Sequence, residues 1–147
     1  MQAPTPIDEA APVVLGYGPM DSIHAEFDQL VRQADASADV GFHACLLAVI
    51  AHLKEHFAEE DAWMTATEFP PRDCHMDEHA AVLRSAAEVE PLVLAGNVAV
   101  GRSFVAELMR WFPGHADYLD SALAAWMCKR QYGGRPVVLH RRIDSSV

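Results

Sequence analysis

From Gly41 to Trp63 the stretch GFHACLLAVIAHLKEHFAEEDAW puts Phe42, Leu46, Val49, Leu53, His56, Glu60 and Trp63 on one helical stripe. The strides alternate between four and three residues, the spacing that keeps one face of a helix turned toward a core. A long helix with a buried face is therefore imposed on any fold this chain adopts. That face carries an imidazole and a carboxylate where Leu or Val would serve. Burying the two bare would cost on the order of several kcal/mol, so the interior must offer them partners. A metal centre satisfies both at once.

The rest of the chain supplies companions for that helix. Residues 1–18 are rich in Pro, Ala and Gly without a sustained period and read as an extended N-terminal arm. Pro19 suits a helix start, with Asp21 in the first turn where a carboxylate is favoured; Met20, His24, Phe27 and Val31 then share a face. The DASAD segment ending at Asp39 reads as a turn, with Asp39 as N-cap of the second helix, which runs to about Ala66 and stops before Pro70-Pro71. Asp73 is the expected cap of a third helix with the seam His75, His79, Val82, Ala86 and Val89. Pro91 to Gly101 interrupts the pattern, although Leu92, Val93 and Leu94 are apolar enough to pack. A fourth helix from about Arg102 carries Leu108, Trp111, His115, Leu119, Ala122 and Trp126. Residues 132–147 form a short C-terminal tail that opens with Gly-Gly and Pro. No β-alternation is sustained. The expected fold is all-α, an antiparallel up-down-up-down four-helix bundle over residues 19–131.

Other classes are disfavoured. At 147 residues, 51% of them hydrophobic, the chain is one domain with one core. No apolar run approaches the roughly 20 residues of a membrane span, and the N-terminus lacks the basic and apolar regions of a secretory signal. A formal net charge of −10 opposes binding to nucleic acid or an anionic membrane. Cys45, Cys74 and Cys128 are odd in number and widely spaced, so they suggest neither disulfides nor a thiolate metal site. A cytoplasmic protein, monomeric, is expected.

Histidine is the compositional anomaly, with 8 in the chain. Five fall on core seams, namely His24, His56, His75, His79 and His115, and two seam carboxylates join them, Glu60 and Asp120. His56/Glu60 and His75/His79 are i, i+4 pairs, one turn apart on one face. Seven inward N and O donors exceed what one ion takes and suit two ions sharing carboxylates. Imidazole with carboxylate selects among iron, manganese and zinc. A single buried histidine is usually a satisfied core residue, and HxxxE or HxxxH is common on surface helices; the repeated occupation of core stripes is what points to metal. His43 and His140 lie off the seams, and His52 reads as a flank or outer-layer residue.

MDSIHAEF around His24, HFAEE at 56–60, HMDEH at 75–79 and HADYLD at 115–120 together resemble the ligand segments of hemerythrins of the single-domain prokaryotic type. The resemblance runs from about Pro19 to Trp126, and its ordered set of segments is far more specific than any one of them. It implies two iron ions in a non-haem di-iron centre that binds dioxygen reversibly, as a carrier, store or buffer. Carried over by position, His75, His79 and His115 would hold one iron and His24 and His56 the other. Glu60 and Asp120 would bridge beside a solvent-derived oxo or hydroxo group, and dioxygen would be held as hydroperoxide on the two-histidine iron. Small ligands such as azide or nitric oxide would compete there.

Charge balance agrees with that chemistry: the two electrons leaving the irons and one proton all end on the bound oxygen, so the net charge of the centre is unchanged. Ferritin-like sites use four Glu and paired Glu-x-x-His motifs; this chain has no Glu-x-x-His. Fewer anionic ligands stabilise high-valent iron less, which favours carriage over oxygen activation. An enzyme is not expected. The competing functions are a sensing or delivery module and a di-iron peroxidase or oxidase.

Two positions need more than a regular helix. His115 and Asp120 are five apart and at about 100° per residue would point roughly 140° from each other. A kink or π-type turn after Pro113-Gly114 is expected to rotate Asp120 inward. Tyr118 lies near the seam but is expected on the bundle surface. Ile23, Phe27, Phe57, Trp111 and Phe112 flank the ligand positions and are expected to keep the site dry.

Overall fold

The computed structural model describes residues 13–132; the arm up to residue 12 and the tail beyond 132, with His140, lie outside the described residues. Within them the chain forms α1 (Gly18–Ala36), α2 (Asp39–Ala66), α3 (Arg72–Leu94), α4 (Val98–His115), a π turn (Ala116–Asp120) and α5 (Ser121–Tyr132). The backbone stays right-handed helical through His115, Ala116 and Ser121, so α4, the π turn and α5 make one continuous rod. The result is a four-helix bundle in which α2 packs on α1 and α3, and α3 on α4. Among the described residues no strand is present, and none of their helices is long and apolar enough to cross a membrane.

Local chemistry explains the boundaries, with three adjustments to the sequence reading. Pro19 lies in the first turn of α1 as expected, and the Asp21 carboxylate accepts from the Leu15 and Gly16 backbone N–H groups at 2.8 and 3.1 Å, tying the preceding segment to the helix. Asp39 does not cap α2: Ala38 holds that position, and the Asp39 carboxylate instead receives the Arg102 guanidinium from the fourth rod at 2.7 and 3.0 Å. Asp73 sits inside the first turn of α3 rather than at its cap. The break expected over 91–101 shrinks to residues 95–97. Proline has no N–H to donate, but α3 continues through Pro91 to Leu94. It then closes on a left-handed Gly96 at φ 107°, where Gly96 and Asn97 N–H groups return to Val93 and Leu92 carbonyls at 2.9 Å each. Asn97 accepts from the Val100 N–H and starts α4 at Val98, ahead of Arg102.

Two apolar clusters result. One gathers Phe42, Leu46, Val49 and Leu53 with Ala86, Val93, Val105 and Leu108, and extends to Phe27, Phe57 and Phe112. The other holds Tyr17, Met20, Met64, Phe69, Leu123, Ala124, Met127 and Cys128. Three of the four rods pass from one cluster to the other through a polar stretch. On α1 the order is Met20, His24, Phe27; on α2 it is Leu53, His56, Glu60, Met64; on the fourth rod it is Phe112, His115, Asp120, Leu123. The bundle therefore contains a polar layer between two hydrophobic plugs.

Beyond His115 the buried face differs from the expected Leu119, Ala122 and Trp126. Leu119 and Trp126 are half-buried and Ala122 is exposed, while Asp120, Leu123 and Met127 are buried. Each buried position lies one residue later than regular spacing places it. A π turn inserts one residue into the helical ladder, and the downstream face rotates accordingly.

Candidate metal centre

All seven seam residues meet inside the polar layer. His24, Glu60, His75 and Asp120 are at most barely accessible, and His56, His79 and His115 are buried beside them. Their donors form two overlapping groups. Single donor atoms of Glu60, His75, His79, His115 and Asp120 lie within 4.8 Å of one another, as do those of His24, His56 and Glu60. The π turn brings Asp120 in, as the five-residue spacing from His115 demanded.

The two carboxylates divide their oxygens between the groups. Asp120 Oδ1 lies 2.9 Å from His75 Nε2 and 3.1 Å from His115 Nε2, while Oδ2 lies 3.0 Å from His24 Nε2. Glu60 Oε1 lies 3.4 Å from His75 Nε2 and 3.3 Å from His79 Nε2, while Oε2 lies 2.8 Å from His56 Nε2 and 3.7 Å from His24 Nε2. In an octahedron with metal–ligand distances of about 2.1 Å, neighbouring donors sit roughly 3 Å apart. Four of the seven spacings, 2.8 to 3.1 Å, lie at that edge, and the three from Glu60 to His79, His75 and His24 are longer at 3.3, 3.4 and 3.7 Å.

Hydrogen bonding alone leaves this layer unsatisfied. Both ring nitrogens of His24 and of His75, Nδ1 of His56, Oε1 of Glu60 and both oxygens of Asp120 are buried without a well-directed hydrogen bond, although Asp120 lies within ion-pair distance of His24 and His75. His79 and His115 make the point more sharply. Their Nδ1 atoms face the Asp61 and Glu78 carboxylates at 2.8 and 2.9 Å. An ionised carboxylate only accepts, so Nδ1 carries the hydrogen in both rings. The two Nε2 atoms lie 3.3 Å apart, and in neutral rings both would present lone pairs. A cation near both removes that conflict, so the residues present fit a metal.

Electrostatics points the same way. Burial lowers the His24 and His75 imidazoles, but the adjoining Asp120 and Glu60 carboxylates outweigh it and hold both at about 9. Burial raises the Glu60 and Asp120 carboxyls, and the surrounding imidazoles reverse that, holding both below the ordinary carboxylate range. Both acids therefore stay ionised, ready to act as anionic donors. Metal would take the place of the imidazole protons, so binding should release them.

Aromatic rings wall the layer. Phe57 stacks on His79 with centroids 4.0 Å apart, Trp111 stacks on His115 at 4.3 Å, and Phe112 meets His24 edge-on at 4.9 Å. Phe27, Phe57 and Phe112 are buried, whereas Ile23 and Trp111 are half-buried. Tyr118 is 78% exposed and takes no part.

The remaining polar candidates stay outside. His43 pairs with Glu90 at 3.0 Å, away from the layer. His52 is buried, its Nδ1 facing Glu26 at 2.7 Å, and burial holds its imidazole below the usual value against the pull of Glu26. Cys128 is buried with its thiol directed at the Gly16 carbonyl, Cys45 is half-buried and Cys74 is exposed. Sequence reading missed Asp61 and Glu78. The available signal was position: each adjoins a seam residue, Glu60 or His79, one step off the stripe, and reaches a histidine on the next helix.

Fold and site together define a helical bundle with a buried histidine–carboxylate metal-binding core. A bacteriohemerythrin from Ralstonia nicotianae is 40% identical to this chain over 116 residues, 79% of this chain and 85% of the relative. The chain belongs to the hemerythrin family. No family model matches it, and no solved structure matches it.

Proposed function

We propose that the chain binds dioxygen reversibly at a non-haem di-iron centre. His75, His79 and His115 hold one iron, His24 and His56 hold the other, and Glu60 and Asp120 bridge them. The observation that carries this reading is the division of each carboxylate, with one oxygen toward the three-histidine group and the other toward the two-histidine group. A single-ion site has no use for two carboxylates that each face both ways.

When bound, a ferrous pair supplies the two electrons that reversible oxygen binding draws on. The chain's own residues do the rest. The two-histidine group offers fewer protein donors, so the position left for an external ligand belongs to it. Phe27 and Phe112, buried and 4.7 Å apart, flank His24 and His56 and exclude water from that side. Exclusion of water starves the site of protons, and a further proton is what would free the two-electron-reduced oxygen as hydrogen peroxide and leave the irons oxidised. With two anionic ligands rather than the four Glu of ferritin-like sites, the centre is suited to holding oxygen rather than activating it.

Anaerobic reduction followed by admission of air, watched in the visible spectrum alongside iron analysis, tests the reading. The expected result is about two irons per chain and an oxygen-dependent band that disappears under vacuum. Rapid turnover of peroxide with a reductant would assign the site to catalysis instead.

A further inference from the structure

The two histidine groups are supported differently. His79 is fixed twice: its Nδ1 faces Asp61 at 2.8 Å, and its ring lies flat on Phe57 with an interplanar angle of 7°. His115 is fixed in the same way, by Glu78 at 2.9 Å and by the Trp111 ring. Glu78 is itself steadied, since the Trp111 indole N–H donates to the same oxygen at 3.3 Å. Each support crosses helices, Asp61 from α2 to α3 and Glu78 from α3 to α4. In the two-histidine group, Nδ1 of His24 and Nδ1 of His56 are buried with no hydrogen-bond partner. Phe112 meets His24 edge-on and Phe57 meets His56 at a tilt.

We infer that Asp61 and Glu78 are positioning residues that make the three-histidine position the first to take iron and the last to lose it. This rests on the di-iron reading above. An imidazole held in one tautomer and one orientation binds without first being ordered, and a carboxylate on Nδ1–H raises the basicity of Nε2. Two of the three histidines on that side have both advantages. Neither histidine on the other side has the carboxylate. The three-histidine position also has one more protein donor, so support and donor number act in the same direction.

The test is anaerobic titration of metal-free protein with ferrous ion in competition with a chromophoric chelator, which resolves stepwise constants. Wild type should show two separable steps. Asp61→Asn and Glu78→Gln should each weaken the tighter step about 10- to 100-fold and move the weaker step much less. His56→Ala should remove the weaker step and keep the tighter one. Glu26→Gln, whose partner His52 lies outside the cluster, should leave both steps in place. Circular dichroism melts of the metal-free variants should overlay on wild type, so that a selective change in the first step reports positioning rather than damage to the fold. Unchanged first steps in both carboxylate variants, loss of the second step in place of the first, or a single unresolved step in wild type would each overturn the inference. Wild type that takes up no iron would instead overturn the di-iron reading itself.

Discussion

The end of the bundle around Phe42 and the layer around Glu60 are both fully buried, yet they are built on opposite terms. Around Phe42 the buried neighbours are apolar, with the Arg102 guanidinium over the ring at 4.8 Å, and the packing is so close that Gly101 leaves no room for a side chain: a Cβ there would stand 2.5 Å from the Phe42 ring and 2.6 Å from Val93. That region is complete in itself. Around Glu60 the interior is a set of ionisable donors with unpartnered nitrogens and oxygens. An unsatisfied buried polar atom costs about 1–3 kcal/mol, and several share one layer. The comparison separates two kinds of core in one helical frame, one that stabilises the fold by itself and one that waits on a ligand.

Filling the layer should produce the largest effect. With free ferrous ion at about 1,000 times its dissociation constant, the folded state gains about 4 kcal/mol, read as a rise in the thermal midpoint over a chelated sample. Glu60→Ala takes away one of the two carboxylates proposed to bridge the irons and should abolish most of that gain and lower the iron stoichiometry. A Glu60→Ala protein that retains both irons and the full gain would show that the layer does not depend on that bridge.

Overpacking the other region comes next. Gly101→Ala forces the fully buried Phe42 ring and Val93 to move, at a cost of about 1–3 kcal/mol. Because the damage lies in the apolar plug, the loss in chemical denaturation should be the same with and without iron. A loss that changes with iron would mean that the two regions are mechanically coupled, and the contrast between them would fail.

The contrast also accounts for what could be read in advance. Seams of α1 and α2 were legible because regular 3.6-residue helices carry them: Met20, His24, Phe27 and Val31 on α1, and Phe42, Leu46, Val49, Leu53, His56 and Glu60 on α2, are all buried where the spacing puts them. Past Glu60 the buried residue is Met64, with Trp63 only half-buried. The seven donors were legible for the same reason, since a polar residue on an apolar stripe contradicts its neighbours. His115 and Asp120 required a break in regularity, and that requirement predicted a kink or a π-type turn, of which the structure has the π turn, but not its consequence. One inserted residue moved the buried face from Leu119 and Trp126 to Asp120, Leu123 and Met127. Asp61 and Glu78 escaped notice because they are partly exposed and off the stripe, where a carboxylate contradicts nothing. Their role exists only across helices, which no spacing within one helix reveals.

His52 probes the border between the regions. It is buried one turn before His56, its Nδ1 faces Glu26, and the two imidazoles lie with centroids 5.3 Å apart. His52→Ala should cost about 1 kcal/mol and leave the iron content at the wild-type value. His43→Ala, farther out, should leave iron content unchanged as well. Loss of an iron from the His52 variant would extend the ligand-dependent layer by a full turn along α2.

The smallest effect lies at the far plug, where α2 ends. Glu68 has φ 53°, the one non-glycine residue with positive φ among the described residues. It occupies the left-handed position that closes the helix, with its N–H returning to the Thr65 carbonyl at 3.3 Å and the Phe69 N–H to Met64 at 2.9 Å. Phe69 and Met64 are both buried in the second apolar cluster, so the turn is held by packing rather than by the preference of Glu68. A side chain in that conformation costs roughly 1–2 kcal/mol, and glycine avoids the cost while making the unfolded chain looser. Glu68→Gly should therefore raise stability by about 0.5–1 kcal/mol, seen as a higher denaturant midpoint with an unchanged slope. Since the strained residue is exposed and its turn anchors to apolar partners, the gain should be equal in metal-free and iron-loaded protein. A gain confined to the metal-free form would place this turn within the reach of the polar layer, and the boundary between the two kinds of core would have to be drawn below Met64.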